Sequence, residues 1–92
     1  MQQDAGSSIT VTVASARVGL SPRVVGYCVE VGIVSEELTE GDLEELRRVR
    51  RLRELGVNLA GVEIILRMRQ RIVKLESEVE RCDWWERRDA RA

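Results

Sequence analysis

Apolar and polar positions divide the chain into four helical stretches, three of them closed by glycine. The opening residues 1–9, MQQDAGSSI, are small and polar and read as a disordered tail. Thr12 is placed to cap a short helix, which Val13, Ala14, Ala16 and Val18 continue and Gly19 stops. Ser21 is a second N-cap, and Pro22 occupies the first helical position, where its missing N–H costs nothing. That helix runs to about Val31 and ends at Gly32, with Val24, Val25, Cys28 and Val31 on its apolar face. Thr39 and Asp42 have the spacing of a capping box at the start of a longer helix over about 40–55. Leu43, Leu46, Val49, Leu52 and Leu55 are its predicted core stripe, and Gly56 closes it. Asn58 caps a fourth helix from Leu59, whose Val62, Ile65 and Leu66 are expected to face inward. Strand-like alternation is confined to residues 9–13, and there is no internal repeat.

The fourth helix continues as a heptad seam. Ile65, Met68, Ile72, Leu75, Val79 and Cys82 are spaced 3, 4, 3, 4, 3, the a and d positions of a coiled coil. The seam spans 18 residues, roughly 27 Å at 1.5 Å per residue. It can pack on its own domain or on a second chain; the preceding domain is too small to cover it, which favours a homodimer. Charge selects the orientation. An antiparallel pair centred between Val73 and Lys74 sets Ile65 against Cys82, Met68 against Val79 and Ile72 against Leu75. It also brings Arg69 to Glu76 and Arg71 to Glu78, all of opposite sign. A parallel pair gains Arg71 with Glu76 but sets Glu78 against Asp83. Exposed pairs contribute at most ~1 kcal/mol each, so they choose the orientation more than they hold the dimer.

Composition narrows the chemistry. Ninety-two residues make one small domain. Without the polar start and the charged end, roughly 70 residues remain, a size that often leans on an oligomer. With no His and two Cys, neither a metal site nor a disulfide framework is expected, and the commonest general base is missing. No enzyme activity, metal or small-molecule cofactor is expected. A net charge of −1 disfavours generic polyanion binding. No signal peptide is visible and no apolar run approaches the ~20 residues of a membrane span. A soluble cytoplasmic protein with thiol cysteines is the expectation.

The order of elements resembles the MerR superfamily of helix-turn-helix regulators over about residues 9–82. VGLSPRVVGYCVEVGIV, TEGDLEELRRVRRLRELGVNLAGVEIIL and the heptads carry the resemblance, with Ser21-Pro22-Arg23, Tyr27, Gly32, Asp42-Leu43 and Leu52-Arg53 fitting the pattern. It implies an all-α fold: a helix-turn-helix domain over 10–62, an antiparallel dimerisation helix over 63–86 and a charged tail over 87–92. Two features depart from the pattern. DNA-binding relatives carry a wing rich in Arg and Tyr before the third helix; here the segment reads GIVSEELTEGDL. The Arg usual just before the Tyr of the recognition helix is replaced by Gly26. A wingless, acidic variant is similar to the CbpM-type chaperone modulators, in which Gly32-Ile33-Val34-Ser35-Glu36 matches a Gly-Val-Val-x-Pro stretch except for its Pro. That resemblance implies a protein partner, the J-domain of a DnaJ-like co-chaperone, which presents a basic helix.

The charge pattern agrees with such a partner. From Glu30 to Leu46 there are seven acids (Glu30, Glu36, Glu37, Glu40, Asp42, Glu44 and Glu45) and no base. Phosphate contacts need Lys, Arg or N–H donors, so this stretch would repel a duplex; acids also suit the first turn of a helix. The candidate protein-binding residues are Arg23, Tyr27, Glu30, Glu36, Glu37 and Glu40. The alternative is a DNA-binding regulator of the MerR or heat-shock repressor type, using Arg17, Arg23, Tyr27, Arg47, Arg50 and Arg51. The basic run from Arg47 to Arg53 would then steady the phosphate backbone, or else it is an exposed face paired with Glu44, Glu45 and Glu54. A plain dimerisation module is the third class. Tyr27 and Cys82 suit a core as well as a contact, and Cys28 suits a buried position. Trp84 and Trp85 cannot both face one seam, so one is expected to cover the partner's domain and the other to be an exposed anchor for another protein, unless the pair packs within the dimer.

Overall fold

The computed structural model describes the backbone of residues 9–91 and side chains through residue 87. The described residues form four helices: α1 (Val11–Val18), α2 (Pro22–Glu30), α3 (Glu40–Glu54) and α4 (Leu59–Arg91). The fold is all-α among the described residues, with one isolated bridge between Ile9 and Leu38. The rest of the expected N-terminal tail lies outside the described residues. Ile9 itself is half-buried and donates its N–H to the Leu38 carbonyl at 2.9 Å.

Local chemistry sets the helix ends. The Ser21 hydroxyl accepts from Val24 N–H, and Pro22 opens α2. At α3 the capping box is complete: Thr39 Oγ1 accepts from Asp42 N–H, and Asp42 Oδ2 accepts from Thr39 N–H. Asn58 Oδ1 accepts from Gly61 N–H at the start of α4. Gly32 and Gly56 follow α2 and α3 with φ of 84° and 93°. Behind Gly32, Ile33 N–H reaches the Cys28 carbonyl; behind Gly56, Val57 N–H reaches that of Leu52. This is the Schellman arrangement, which needs a left-handed residue and so favours glycine.

Four expectations are corrected. The cap of α1 is Thr10, whose hydroxyl accepts from Val13 N–H, and Thr12 lies inside the helix. Residues 11–13 are therefore helical, and the strand-like alternation over 9–13 is reduced to the Ile9 bridge. Leu55, placed in the core stripe, is 79% exposed. Steps of three turn back about 60° each on a helix, so Leu55 lies about 180° from Leu46. Ile65, expected inward, is 40% exposed, because Val62 and Leu66 already face the core. Apart from these four, the charged stretch past residue 86 continues α4 through Arg91, with no Gly or Pro to stop it.

The core is aliphatic: Ala14, Val18, Val25, Cys28, Ile33, Val34, Leu38, Leu43, Leu46, Val49, Val62 and Leu66 are buried. Among the described side chains of α4, only Val62 and Leu66 enter it. Polar contacts extend the hold on α4 to Gln70, whose amide donates to Glu45 at 3.2 Å. Arg67 donates to the Val31 carbonyl at the end of α2. Beyond Gln70 the helix projects from the domain with Ile72, Val73, Leu75 and Val79 about half exposed.

Candidate functional site

A groove of about 790 Å³ runs along the outer face of α2, lined by Arg23, Gly26, Tyr27, Glu30, Arg53 and Leu59 among others. It gathers three of the expected docking residues. Arg23, Tyr27 and Glu30 follow each other at i, i+4 and i+7 on α2 and so share a face. Arg53, from the last turn of α3, reaches the same groove; it is 30 positions from Arg23, so only the tertiary fold joins them.

Tyr27 has a structural partner that the sequence did not reveal. Its hydroxyl donates to Glu63 Oε1 at 2.9 Å, and Glu63 Oε2 accepts from Arg67 at 3.0 Å. The hydrogen bond from Tyr27, then that from Arg67, hold the Glu63 carboxyl below its usual range. The same bond to Glu63 raises the Tyr27 phenol. Tyr27 thus fastens α2 to α4 while its ring lines the groove.

The expected acidic residues divide between two places. Glu30 lines the groove; Glu36, Glu37 and Glu40 do not. Glu36 and Glu37 are exposed in the connection between α2 and α3, where Leu38 is buried beneath them. Glu40 opens α3, about 20 Å along the helix from Arg53. Both its oxygens accept from Arg17, at 2.9 and 3.1 Å. Those bonds lower the Glu40 carboxyl and raise Arg17.

The basic run of α3 is largely paired within the helix. Arg47 pairs with Glu44, Arg48 with Glu45 and Arg50 with Glu54, at 2.8, 2.8 and 3.0 Å. Arg50 also donates to the Val18 carbonyl at 3.4 Å. Of the residues suited to DNA, Arg17, Arg47 and Arg50 therefore carry acidic partners. Among the described residues no ion pair involves Arg23, Arg51 or Arg53.

The heptad residues Ile65, Met68, Ile72, Leu75, Val79 and Cys82 are exposed on α4. Arg71, Glu76 and Glu78 lie along their flanks. Arg69, expected to meet Glu76 of a second chain, already lies 4.0 Å from Glu45 of its own domain. Cys28 is buried, and desolvation pushes its thiol up to about 11. No cluster of three metal-binding side chains occurs among the described residues, and no described helix is long and apolar enough to cross a membrane. No family model matches the chain, and no curated protein or solved structure matches it significantly.

Proposed function

We propose that the protein is a non-enzymatic, homodimeric regulator of the MerR-like helix-turn-helix type. Its proposed partner is the J-domain of a DnaJ-like co-chaperone. The observation that carries this reading is the α2–α3 connection. It is short, has no projecting hairpin, and exposes Glu36 and Glu37 with no base nearby in sequence. Such an edge complements a basic helix and repels a phosphate backbone. Glu30 extends the acidic surface to the groove, where Arg23 and Tyr27 supply specificity. The pairing of Arg17, Arg47 and Arg50 with acids supports the same choice, because those guanidiniums would have to leave a partner to meet phosphate.

The dimer is proposed to form through the α4 seam in the antiparallel register. Its support is the half-exposed a/d stripe, together with the Arg71–Glu78 complementarity across the two-fold axis. A DNA-binding regulator is the second reading, favoured by Arg23, Arg51 and Arg53, which carry no ion pair among the described residues.

Two measurements together separate the two readings. A purified J-domain is expected to bind with an on-rate that falls as ionic strength rises, and Glu36→Lys/Glu37→Lys is expected to weaken binding at least tenfold, about 1.4 kcal/mol. A rate insensitive to salt, or unchanged affinity in the variant, overturns electrostatic docking. Selection of a specific, salt-sensitive operator from genomic fragments establishes the second reading instead.

A further inference from the structure

We infer that Trp85 of one protomer packs on Ile64 of the other, so that the interface runs past the seam and locks each α4 onto its partner's domain. This rests on the antiparallel dimer proposed above and extends it to residues outside the a/d stripe. With Ile65 at a, Ile64 and Arg71 fall at g, as do Glu78 and Trp85. In an antiparallel pair, g positions meet g positions. The contact one heptad outward from Arg71 with the partner's Glu78 is therefore Ile64 with the partner's Trp85.

Both side chains suit this role. Ile64 is 60% exposed and Trp85 58% exposed in the single chain. Ile64 sits where α4 is held firmly: the preceding residue, Glu63, accepts from Tyr27, and Arg67, one turn on, donates to the Val31 carbonyl. The surface Trp85 meets is thus preorganised, which lowers the entropic cost of docking. Trp84 is placed differently. It occupies an f position, on the side of α4 away from the seam, and meets Trp85 edge to face at a ring separation of 5.2 Å. One tryptophan of the pair is assigned to the second copy, and the other is left on the outer surface. A large aromatic at the end of a short seam adds area where coiled-coil ends otherwise fray, and symmetry supplies the contact twice.

The chain has two tryptophans, so each can report alone. Trp84→Phe leaves Trp85 as the reporter, and Trp85→Phe leaves Trp84. Fluorescence is followed through dilution, with sedimentation equilibrium on the same samples. Orientation is fixed independently by Ile65→Cys: oxidation against the native Cys82 links antiparallel chains, whereas the wild type would link Cys82 to Cys82 only if the chains were parallel. The Trp85 reporter is expected to shift to the blue and to lose acrylamide quenching several-fold on dimerisation, with the Trp84 reporter nearly unchanged. Ile64→Gln is expected to abolish the Trp85 response and to raise the dimer dissociation constant roughly tenfold. If the dimer forms and Ile65→Cys links it, but Trp85 stays as quenchable as Trp84, the contact is refuted and the dimer stands. A monomer, or a Cys82–Cys82 link in the wild type, overturns the dimer and this contact together. A blue shift that appears only with a J-domain or lipid vesicles added assigns Trp85 to another partner and refutes the contact.

Discussion

Leu75→Ala tests the proposed dimer at its centre. Leu75 is 50% exposed in the single chain, and in the antiparallel register it faces the partner's Ile72. Full burial of a leucine side chain stabilises by about 1.5–3 kcal/mol, so covering the exposed half contributes about 1 kcal/mol per copy. Two copies change in a symmetric dimer, giving about 2 kcal/mol, and any cavity left behind adds to it. The dissociation constant should therefore rise about thirtyfold, since 1.4 kcal/mol is a factor of ten. Sedimentation equilibrium over a dilution series measures it. The domain should be unaffected, because Leu75 lies beyond Gln70, where the polar contacts between α4 and Glu45 end. Circular dichroism of the monomer should show the same unfolding midpoint in both proteins. A dissociation constant within about threefold of the wild type would refute the claim that this face meets a second copy in this register.

Three further outcomes follow from the domain itself. Thr39→Ala removes the hydroxyl that accepts from Asp42 N–H, leaving the backbone N–H bond to Asp42 Oδ2, and should destabilise α3 by ~1 kcal/mol in urea unfolding; no change would mean that the Thr39 hydroxyl contributes nothing to the cap. In the dissociated chain at high dilution Cys82 should react promptly with an alkylating reagent while Cys28 reacts only on unfolding, because Cys28 is buried and its thiol is pushed up to about 11; equal rates would contradict that burial. Stability should fall at both extremes of pH. Glu63 and Glu40 have lowered native pKa values, so their contribution is present above the ordinary carboxylate range near 4.5 and is lost as pH falls through the lower native values. Cys28 and Tyr27 have raised values, so theirs is present below about 9 and lost as pH rises through the native values. Glu63→Gln should flatten the acid limb of a urea-midpoint profile; an unchanged acid limb would remove Glu63 as a contributor.

Much of the fold was legible because its signals are local. Ser21, Thr39 and Asn58 cap helices through hydrogen bonds that close within three residues, and Gly19, Gly32 and Gly56 end helices through backbone geometry alone. Thr10 and Thr12 offer the same hydroxyl two positions apart. The bond from Ile9 N–H to the Leu38 carbonyl pins the chain just before Thr10, and that partner lies 29 positions away. Leu55 misled because a run of threes imitates a stripe over two turns and then rotates out of it. The pairing of α3 arginines with Glu44, Glu45 and Glu54 was readable from helical spacing.

The candidate site was legible as residues and not as a place. Arg23, Tyr27 and Glu30 share a helix face by periodicity, but Arg53 joins them only because the end of α3 packs beside α2. Glu63 is an unremarkable position in the sequence, and its role appears once Tyr27 is seen to reach it. The separation of Glu40 from the groove, and its capture by Arg17, likewise depend on how α1 lies against α3.

By itself the sequence determined what short-range forces determine: where helices start and stop, which faces are apolar, and the heptad repeat that leaves α4 with an uncovered stripe. Tertiary structure decided which charges are already spent on one another, which leucine escapes the core, and which distant side chains meet in one groove. The physical reason is range. Caps and periodicity act over a few residues of one chain segment, whereas ion pairs between helices and burial depend on packing that brings remote segments together.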